Sequence, residues 1–130
     1  MYRKIVAAID ETDSGARAAR EAIALARHTR GELLLLHVGA GRAGDDALAM
    51  AKAFALGAGV KASTARVAPD GESVGQTVVR EAQRWGADLI VAGRHNRGAV
   101  ERLLLGSVSE AIVRAAEVPV LLVRRVTPSA

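Results

Sequence analysis

Cysteine is absent from this chain of 130 residues, which excludes disulfide bonds, thiol catalysis and cysteine-ligated zinc. Aromatic residues are nearly absent too, with one Trp, one Tyr and one Phe. Because proteins that bind single-stranded nucleic acid stack successive bases on aromatic side chains, this composition argues against a nucleic-acid-binding role. The lack of cysteine is compatible with a reducing compartment, and we expect the protein to be cytoplasmic.

Long hydrophobic runs are missing as well. The longest, such as Leu33 to Leu36 and Val118 to Val123, have the length of β-strands and fall far short of the roughly 20 residues of a membrane span. The first apolar segment meets Asp10 too early to be the hydrophobic region of a signal peptide. The sequence therefore predicts neither a membrane-spanning helix nor a cleaved leader.

The chain has the size of one compact domain, and we predict a single domain over residues 1–130. Half of its residues are hydrophobic and a quarter are charged, which is typical of a folded protein. The net charge of +4 comes from basic residues scattered along the chain, a pattern typical of a solvated surface. A basic balance favours anionic small molecules as partners, although only weakly.

Short apolar runs alternate with segments in which apolar residues recur every three or four positions, which predicts β-α-β-α-β-α-β-α-β. Gly31 and Gly86 are placed to end the first and third helices, and Pro119 to end the fourth. The predicted strands are Ile5 to Ile9, Leu33 to Val38, Lys61 to Val67, Leu89 to Ala92 and Val120 to Val123.

Strands joined by helical crossovers pair in parallel, and the crossovers are right-handed. We therefore predict an α/β fold of the Rossmann-like type: an open five-stranded parallel sheet of order 3-2-1-4-5 with helices on both faces. Ligands of such sheets bind beyond the carboxyl ends of the strands, where the strand order reverses. The reversal lies between strands one and four, which directs attention to Asp10 and Gly93.

The segment from Gly93 to Glu110 leads from strand four into the last helix. Ser107 with Glu110 three residues later is the spacing of a capping box, which predicts a helix start. Free N–H groups and the positive end of the helix dipole favour an anion there. Gly106 has no Cβ, so the backbone can approach a phosphate closely.

This segment resembles the universal stress protein signature, in which Gly, two residues, Gly, nine residues and Gly precede Ser or Thr. Gly93, Asn96, Gly106 and Ser107 occupy those positions, so Asn96 replaces the second glycine. Asn is the residue that best substitutes for Gly at positive φ. The resemblance extends through the chain, from the strand ending in Asp10 to the closing Val118-Pro119-Val120, and implies the fold predicted above.

The resemblance also implies an ATP site, with Mg²⁺ arriving on the nucleotide. It implies an acid near the ribose and base, strand-two backbone near adenine, and the glycine loop with its Ser around the phosphates; Arg94 and Arg97 add positive charge there. The candidate residues are Ala8, Ile9, Asp10, Val38, Gly93, Arg94, His95, Asn96, Arg97, Gly98, Gly106, Ser107, Val108 and Ser109.

Strand five is expected at an edge of the sheet, and it is more apolar than an unprotected edge tolerates. Members of the similar family form dimers through this strand, which implies a homodimer, unless a terminal segment covers the edge. The strand residues concerned are Val118, Val120, Leu121, Leu122 and Val123. The expected function is a nucleotide-dependent switch without fast turnover; a dimer that binds no nucleotide is the alternative.

Three further patterns are given less weight. Gly39 to Gly44 fits G-x-G-x-x-G, but no acidic residue ends the next strand, so we expect a flexible connection. Gly71 to Gly75 fits the G-x-S-x-G elbow of a small hydrolase, but no acid and base are placed to serve Ser73, and a Walker A lysine is absent. Histidines 28, 37 and 95 lack metal-ligand spacing.

Overall fold

The computed structural model of the chain describes residues 1–10, 13–94 and 107–124. Strands and helices alternate in the predicted order. The elements are β1 Lys4–Ala8, α1 Asp13–Thr29, β2 Glu32–Val38, α2 Arg42–Gly57, β3 Lys61–Val67, α3 Val74–Trp85, β4 Leu89–Arg94, α4 Ser107–Ala115 and β5 Val120–Arg124. Within those ranges no helix has the length and apolar character needed to cross a membrane.

The strands form one sheet of order β3-β2-β1-β4-β5, and every neighbouring pair is parallel. This confirms the predicted fold and strand order. The order reverses between β1 and β4, which lie side by side with Ile5 opposite Leu89 and Ala7 opposite Val91. The helices that follow β1 and β4 in the chain, α1 and α4, lie on opposite faces of the sheet, so a crevice opens at the carboxyl ends of these two strands.

Each face of the sheet is covered by a pair of helices, which is why the strands are continuously apolar. Alternate residues such as Ile5 and Leu35 pack against α1 and α2. Their neighbours Val6 and Leu36 pack against α3 and α4. Full burial of one such aliphatic side chain stabilises the fold by about 1.5–3 kcal/mol, so the two layers together hold the strand ends in place.

The two predicted glycine helix ends turn out differently. Gly86 ends α3 in the left-handed conformation, with φ of 84°, as predicted. The prediction for Gly31 is wrong, because Arg30, with φ of 59°, takes the left-handed position after α1. Gly31 is needed for a close approach instead, since a Cβ there would lie 2.6 Å from the carbonyl oxygen of Tyr2.

The glycine-rich stretch after β2 is also more ordered than expected. Its first half is a turn in which Gly39 and Gly41 have φ of 129° and 119°. Its second half is the first turn of α2, which begins at Arg42 and contains Gly44. The expectation of a flexible connection is therefore wrong for residues 42–44, where the backbone packs closely on β2 through Gly44.

Candidate functional site

A crevice opens at the carboxyl ends of β1, β2 and β4 and is closed on one side by the first turns of α3 and α4. It lies where the strand order reverses, as expected of a ligand site in an open parallel sheet. Its lining residues are Ala8, Ile9, Asp10, Leu36, His37, Val38, Val74, Val78, Ala92, Gly93, Ser107, Val108 and Ser109.

The structure brings together predicted site residues from four separate parts of the chain, namely Ala8, Ile9, Asp10, Val38, Gly93, Ser107, Val108 and Ser109. Arg94 is the last residue of β4 and pairs in register with Arg124 of β5. His95, Asn96, Arg97, Gly98 and Gly106 lie outside the described residues.

One wall of the crevice is apolar and comes from β2 and α3. Val38 ends β2, while Val74 and Val78 stand one turn apart at the start of α3. Val78 is 2 % exposed but Val74 is 37 % exposed, so the wall continues from the core to the open surface. Such a wall can receive a flat apolar ring and exclude water from one of its faces.

Next to this wall, the crevice is lined by the first turn of α4. Ser107 begins this helix and lines the crevice with Val108 and Ser109. The first N–H groups of a helix have no partner within it, and they carry the positive end of the helix dipole. Glu110 accepts hydrogen bonds from Arg114 Nε and Nη2 at 3.1 and 2.8 Å, one turn along the helix.

A close contact brings the starts of α3 and α4 together. A Cβ on Gly75 would lie 2.6 Å from the carbonyl oxygen of Val108, so a glycine is required there. Gly75 is the last residue of the G-x-S-x-G pattern, and this packing contact accounts for it. The contact sets the separation between the apolar wall and the helix start.

Ser73, the central residue of the same pattern, has a structural role at the N-cap of α3. Its Oγ accepts a hydrogen bond from Gln76 N at 3.1 Å, and Gln76 Oε1 accepts one from Ser73 N at 3.0 Å. These reciprocal bonds form a capping box that satisfies two backbone donors at the helix start. The spacing of Ser and Gln three residues apart carries this signal in the sequence.

Asp10 lies just beyond β1 and points toward the first turn of α1. A Cβ on Gly15 would lie 2.9 Å from Asp10 Cγ, so the carboxylate occupies the space that a side chain at position 15 would take. Asp10 is half-buried and lines the crevice. The absence of a side chain at position 15 therefore leaves room for this carboxylate.

His37, Ala92, Val74 and Val78 also line the crevice, and none of them was predicted from the sequence as a site residue. His37 is buried, and its Nδ1 lies 2.7 Å from the carbonyl oxygen of Ile9. His28 is exposed on α1. Over the described ranges no three His, Cys, Asp or Glu side chains come together in a way that would hold a metal ion.

Comparison with known proteins gives a consistent result. The model of the universal stress protein family matches residues 1–124. Universal stress protein MJ0531 of Methanocaldococcus jannaschii is 31% identical over 145 residues, which cover 96% of this chain and 84% of the relative.

Solved structures agree in fold. A universal stress protein in complex with cAMP has a TM-score of 0.78 and 25% identity, and covers 96% of this chain and 98% of its own. The universal stress protein of Archaeoglobus fulgidus in complex with dAMP has a TM-score of 0.76 and 22% identity, covers 94% of this chain and 98% of its own, and shows the shared fold.

Proposed function

Because the chain belongs to the universal stress protein family, we propose that it binds an adenine nucleotide, ATP above all, in the crevice. The observation that carries this proposal is the pairing of an apolar wall with a helix start in one crevice. A base needs apolar surface, and phosphates need N–H donors at the positive end of a helix dipole. The cAMP and dAMP bound to two proteins of the same fold support the choice of an adenine nucleotide.

The crevice residues fit the parts of such a ligand. Val38 and Val74 would contact the base, and the Asp10 carboxylate would accept hydrogen bonds from ribose hydroxyls. Ser107 and the N–H groups of the first turn of α4 would receive the phosphates, with Arg94 adjoining at the end of β4. Mg²⁺ would be held mainly by phosphate oxygens and water.

In this proposal the protein acts by binding rather than by turnover. The engagement of Ser73 in a capping box supports that reading against a serine hydrolase. ATP would change the surface that the segment from Gly93 to Gly106 offers to a protein partner, which makes the chain a nucleotide-dependent module of a stress response in the cytoplasm. The alternative within the family is a module that binds no nucleotide.

Calorimetric titration of the purified protein with ATP, ADP and cAMP tests the proposal. Ala8→Leu fills the crevice, and we expect it to weaken ATP binding by about tenfold or more. Ala116→Leu is the matched control, because Ala116 packs against the same core but does not line the crevice. Well-folded wild-type protein that shows no saturable binding at millimolar ATP would contradict the site.

A second experiment distinguishes the nucleotide-binding module from the alternative that binds no nucleotide. Protein purified without added nucleotide is denatured, and the released material is chromatographed. Release of an adenine nucleotide in a near-stoichiometric amount supports the binding module. Nucleotide-free material that also fails to titrate supports the module that binds none.

We also propose a homodimer through β5, on the strength of the contrast between the two edges of the sheet. The β3 edge exposes Lys61, Ser63 and Thr64, whereas β5 exposes Leu121 to 40 %. Charged and polar residues protect an edge, but exposed leucine favours pairing. Leu121→Lys should convert the dimer to monomer in sedimentation experiments, while Thr64→Lys on the opposite edge should not.

A further inference from the structure

His37 makes a hydrogen bond that shows where one of its ring hydrogens lies. It is the next-to-last residue of β2 and is only 7 % exposed. Its Nδ1 lies 2.7 Å from the carbonyl oxygen of Ile9, 28 residues away in the chain. A carbonyl oxygen can only accept, so Nδ1 must carry the hydrogen and donate it.

This bond holds β1 beyond the point where its pairing as a strand ends. The last residue of β1 is Ala8, which stands opposite Leu36. Ile9 continues the attachment, because its N–H donates to Leu36 O at 2.7 Å and its carbonyl accepts from His37. Both polar backbone groups of Ile9 are thus tied to β2. The next residue along the chain is Asp10, whose carboxylate lines the crevice.

The far side of the imidazole is held by α2. A Cβ on Gly44 would lie 2.9 Å from His37 Cε1, so the ring rests directly on the helix backbone. The neighbouring Asp45 forms an ion pair with Arg66 Nε at 3.2 Å. Arg66 is the residue of β3 that stands opposite His37 in the sheet. The start of α2 therefore contacts β2 through Gly44 and β3 through this exposed ion pair.

We propose that His37 is a positioning residue for the nucleotide site: by donating Nδ1–H to Ile9 O while seated on Gly44, it sets the place of Asp10. The inference rests on the proposed function, since Asp10 is taken there to meet the ribose. His37 acts through the backbone of Ile9 and needs no contact of its own with the ligand. Its hydrogen bond links β2 to Ile9, the residue before Asp10, and its ring lies against α2.

Two substitutions separate the hydrogen bond from the volume of the ring. His37→Phe keeps a planar ring but has no donor, whereas His37→Asn places an amide N–H near the position of Nδ1. Thr29→Val is the matched control at the other end of β1, because the Thr29 hydroxyl donates to Tyr2 O at 2.9 Å. It removes one side-chain hydrogen bond to a carbonyl of the same strand region, far from the crevice.

The first readout is ATP affinity by calorimetry, with the urea midpoint of each variant measured beside it. We expect His37→Phe to bind ATP about tenfold more weakly, and His37→Asn to stay within about threefold of wild type. Thr29→Val should lose stability but keep its affinity. If wild type binds ATP and His37→Phe binds it equally well, the positioning role is refuted while the proposed function stands.

The second readout needs no nucleotide. In NMR spectra of the free protein, Nδ1 of His37 should carry a hydrogen. The Ile9 carbonyl and Asp10 amide resonances should shift in His37→Phe and return toward wild-type values in His37→Asn. Should wild type bind no nucleotide, the proposed function fails, and this readout alone decides: Asp10 resonances that stay unmoved in His37→Phe overturn the inference.

Discussion

At the amino ends of its strands the sheet is closed by side chains that bond to backbone groups, whereas at the carboxyl ends it opens into a crevice. The Asp88 carboxylate accepts from Arg3 N at 2.8 Å and from Lys4 N at 3.1 Å. Lys4 Nζ donates to Trp85 O at 2.7 Å and lies 4.5 Å from the centre of the Trp85 ring. These contacts join the start of β1 to the turn between α3 and β4.

The carboxyl ends are held in another way. There the close contacts are made by glycines, with Gly15 against Asp10, Gly44 against His37 and Gly75 against Val108. Each glycine lets a helix start approach the strand ends or another helix start. The result is a fixed frame around an open space, which the first turn of α4 lines.

One end of the sheet thus supplies stability, and the other supplies a site. Groups that bond to one another are not available to a ligand, so a closed end stabilises and an open end can bind. Substitutions at the amino end should therefore change stability and leave nucleotide affinity alone. Substitutions at the carboxyl end should change affinity by more than their effect on stability explains.

Among these substitutions, Gly44→Ala at the carboxyl end of the sheet should have the largest effect. The added Cβ would lie 2.9 Å from His37 Cε1 and still closer to Nε2 and Cδ2 of the same ring, so the ring or α2 must move. We expect a loss of roughly 1–3 kcal/mol in the free energy of unfolding, together with weaker ATP binding. Urea denaturation and calorimetry measure the two effects.

Gly57→Ala is the matched control for this substitution, because Gly57 ends the same helix and a Cβ there meets nothing within 4 Å. Alanine is the better helix former by up to about 1 kcal/mol, so stability should rise slightly and ATP affinity should not change. Equal behaviour of Gly44→Ala and Gly57→Ala would show that the contact with His37 does not matter.

Asp88→Ala should destabilise the protein at the amino end of the sheet. It leaves the N–H groups of Arg3 and Lys4 without their acceptor, and hydrogen bonds to a charged group contribute about 1.5–3 kcal/mol. We expect a loss of roughly 2 kcal/mol in unfolding free energy and unchanged ATP affinity. Asp88→Asn keeps one acceptor oxygen and should recover part of the loss. A parallel fall in affinity would contradict the division between the two ends.

Ser73→Ala, beside the crevice, should lower stability without lowering ATP affinity to a similar extent. It removes the capping box of α3 and should cost about 1 kcal/mol of stability. ATP affinity should fall little, because the hydroxyl is engaged with Gln76 and does not line the crevice. An esterase assay on wild type and variant provides the check on chemistry: activity that disappears with the hydroxyl would favour a hydrolase over a binding module.

The fold could be predicted because its signals are local and repeated. Apolar runs and helical periodicity give the order of elements, and the rules for parallel sheets then give the order of strands. The position of the crevice follows from the same rules, which is why Asp10 and Gly93 could be named from the sequence.

The rest depends on contacts between distant residues. Val74 and Val78 have the periodicity of core residues, and that periodicity does not tell that the first turn of α3 stands beyond the strand ends. The bond between His37 and Ile9 joins residues 28 apart and depends on the side-chain conformation of His37. The capping box of Ser73 with Gln76 was not predicted above, although its spacing within one turn is a local signal that the sequence carries.

Arg30→Gly is expected to raise the free energy of unfolding, whereas Asp88→Ala at the same end of the sheet lowers it. Arg30 is exposed and has φ of 59°, a left-handed conformation that costs a residue with a side chain roughly 1 kcal/mol and glycine almost nothing. We therefore expect the variant to be more stable by about 0.5–1 kcal/mol, with unchanged ATP affinity.

Arg27→Gly removes the same charge from the last turn of α1, where glycine should destabilise the helix by about 1 kcal/mol. Because the two variants lose equal charge three residues apart, only backbone conformation can give them opposite signs in urea denaturation. If both variants are destabilised equally, the left-handed conformation of Arg30 carries no strain that glycine could relieve.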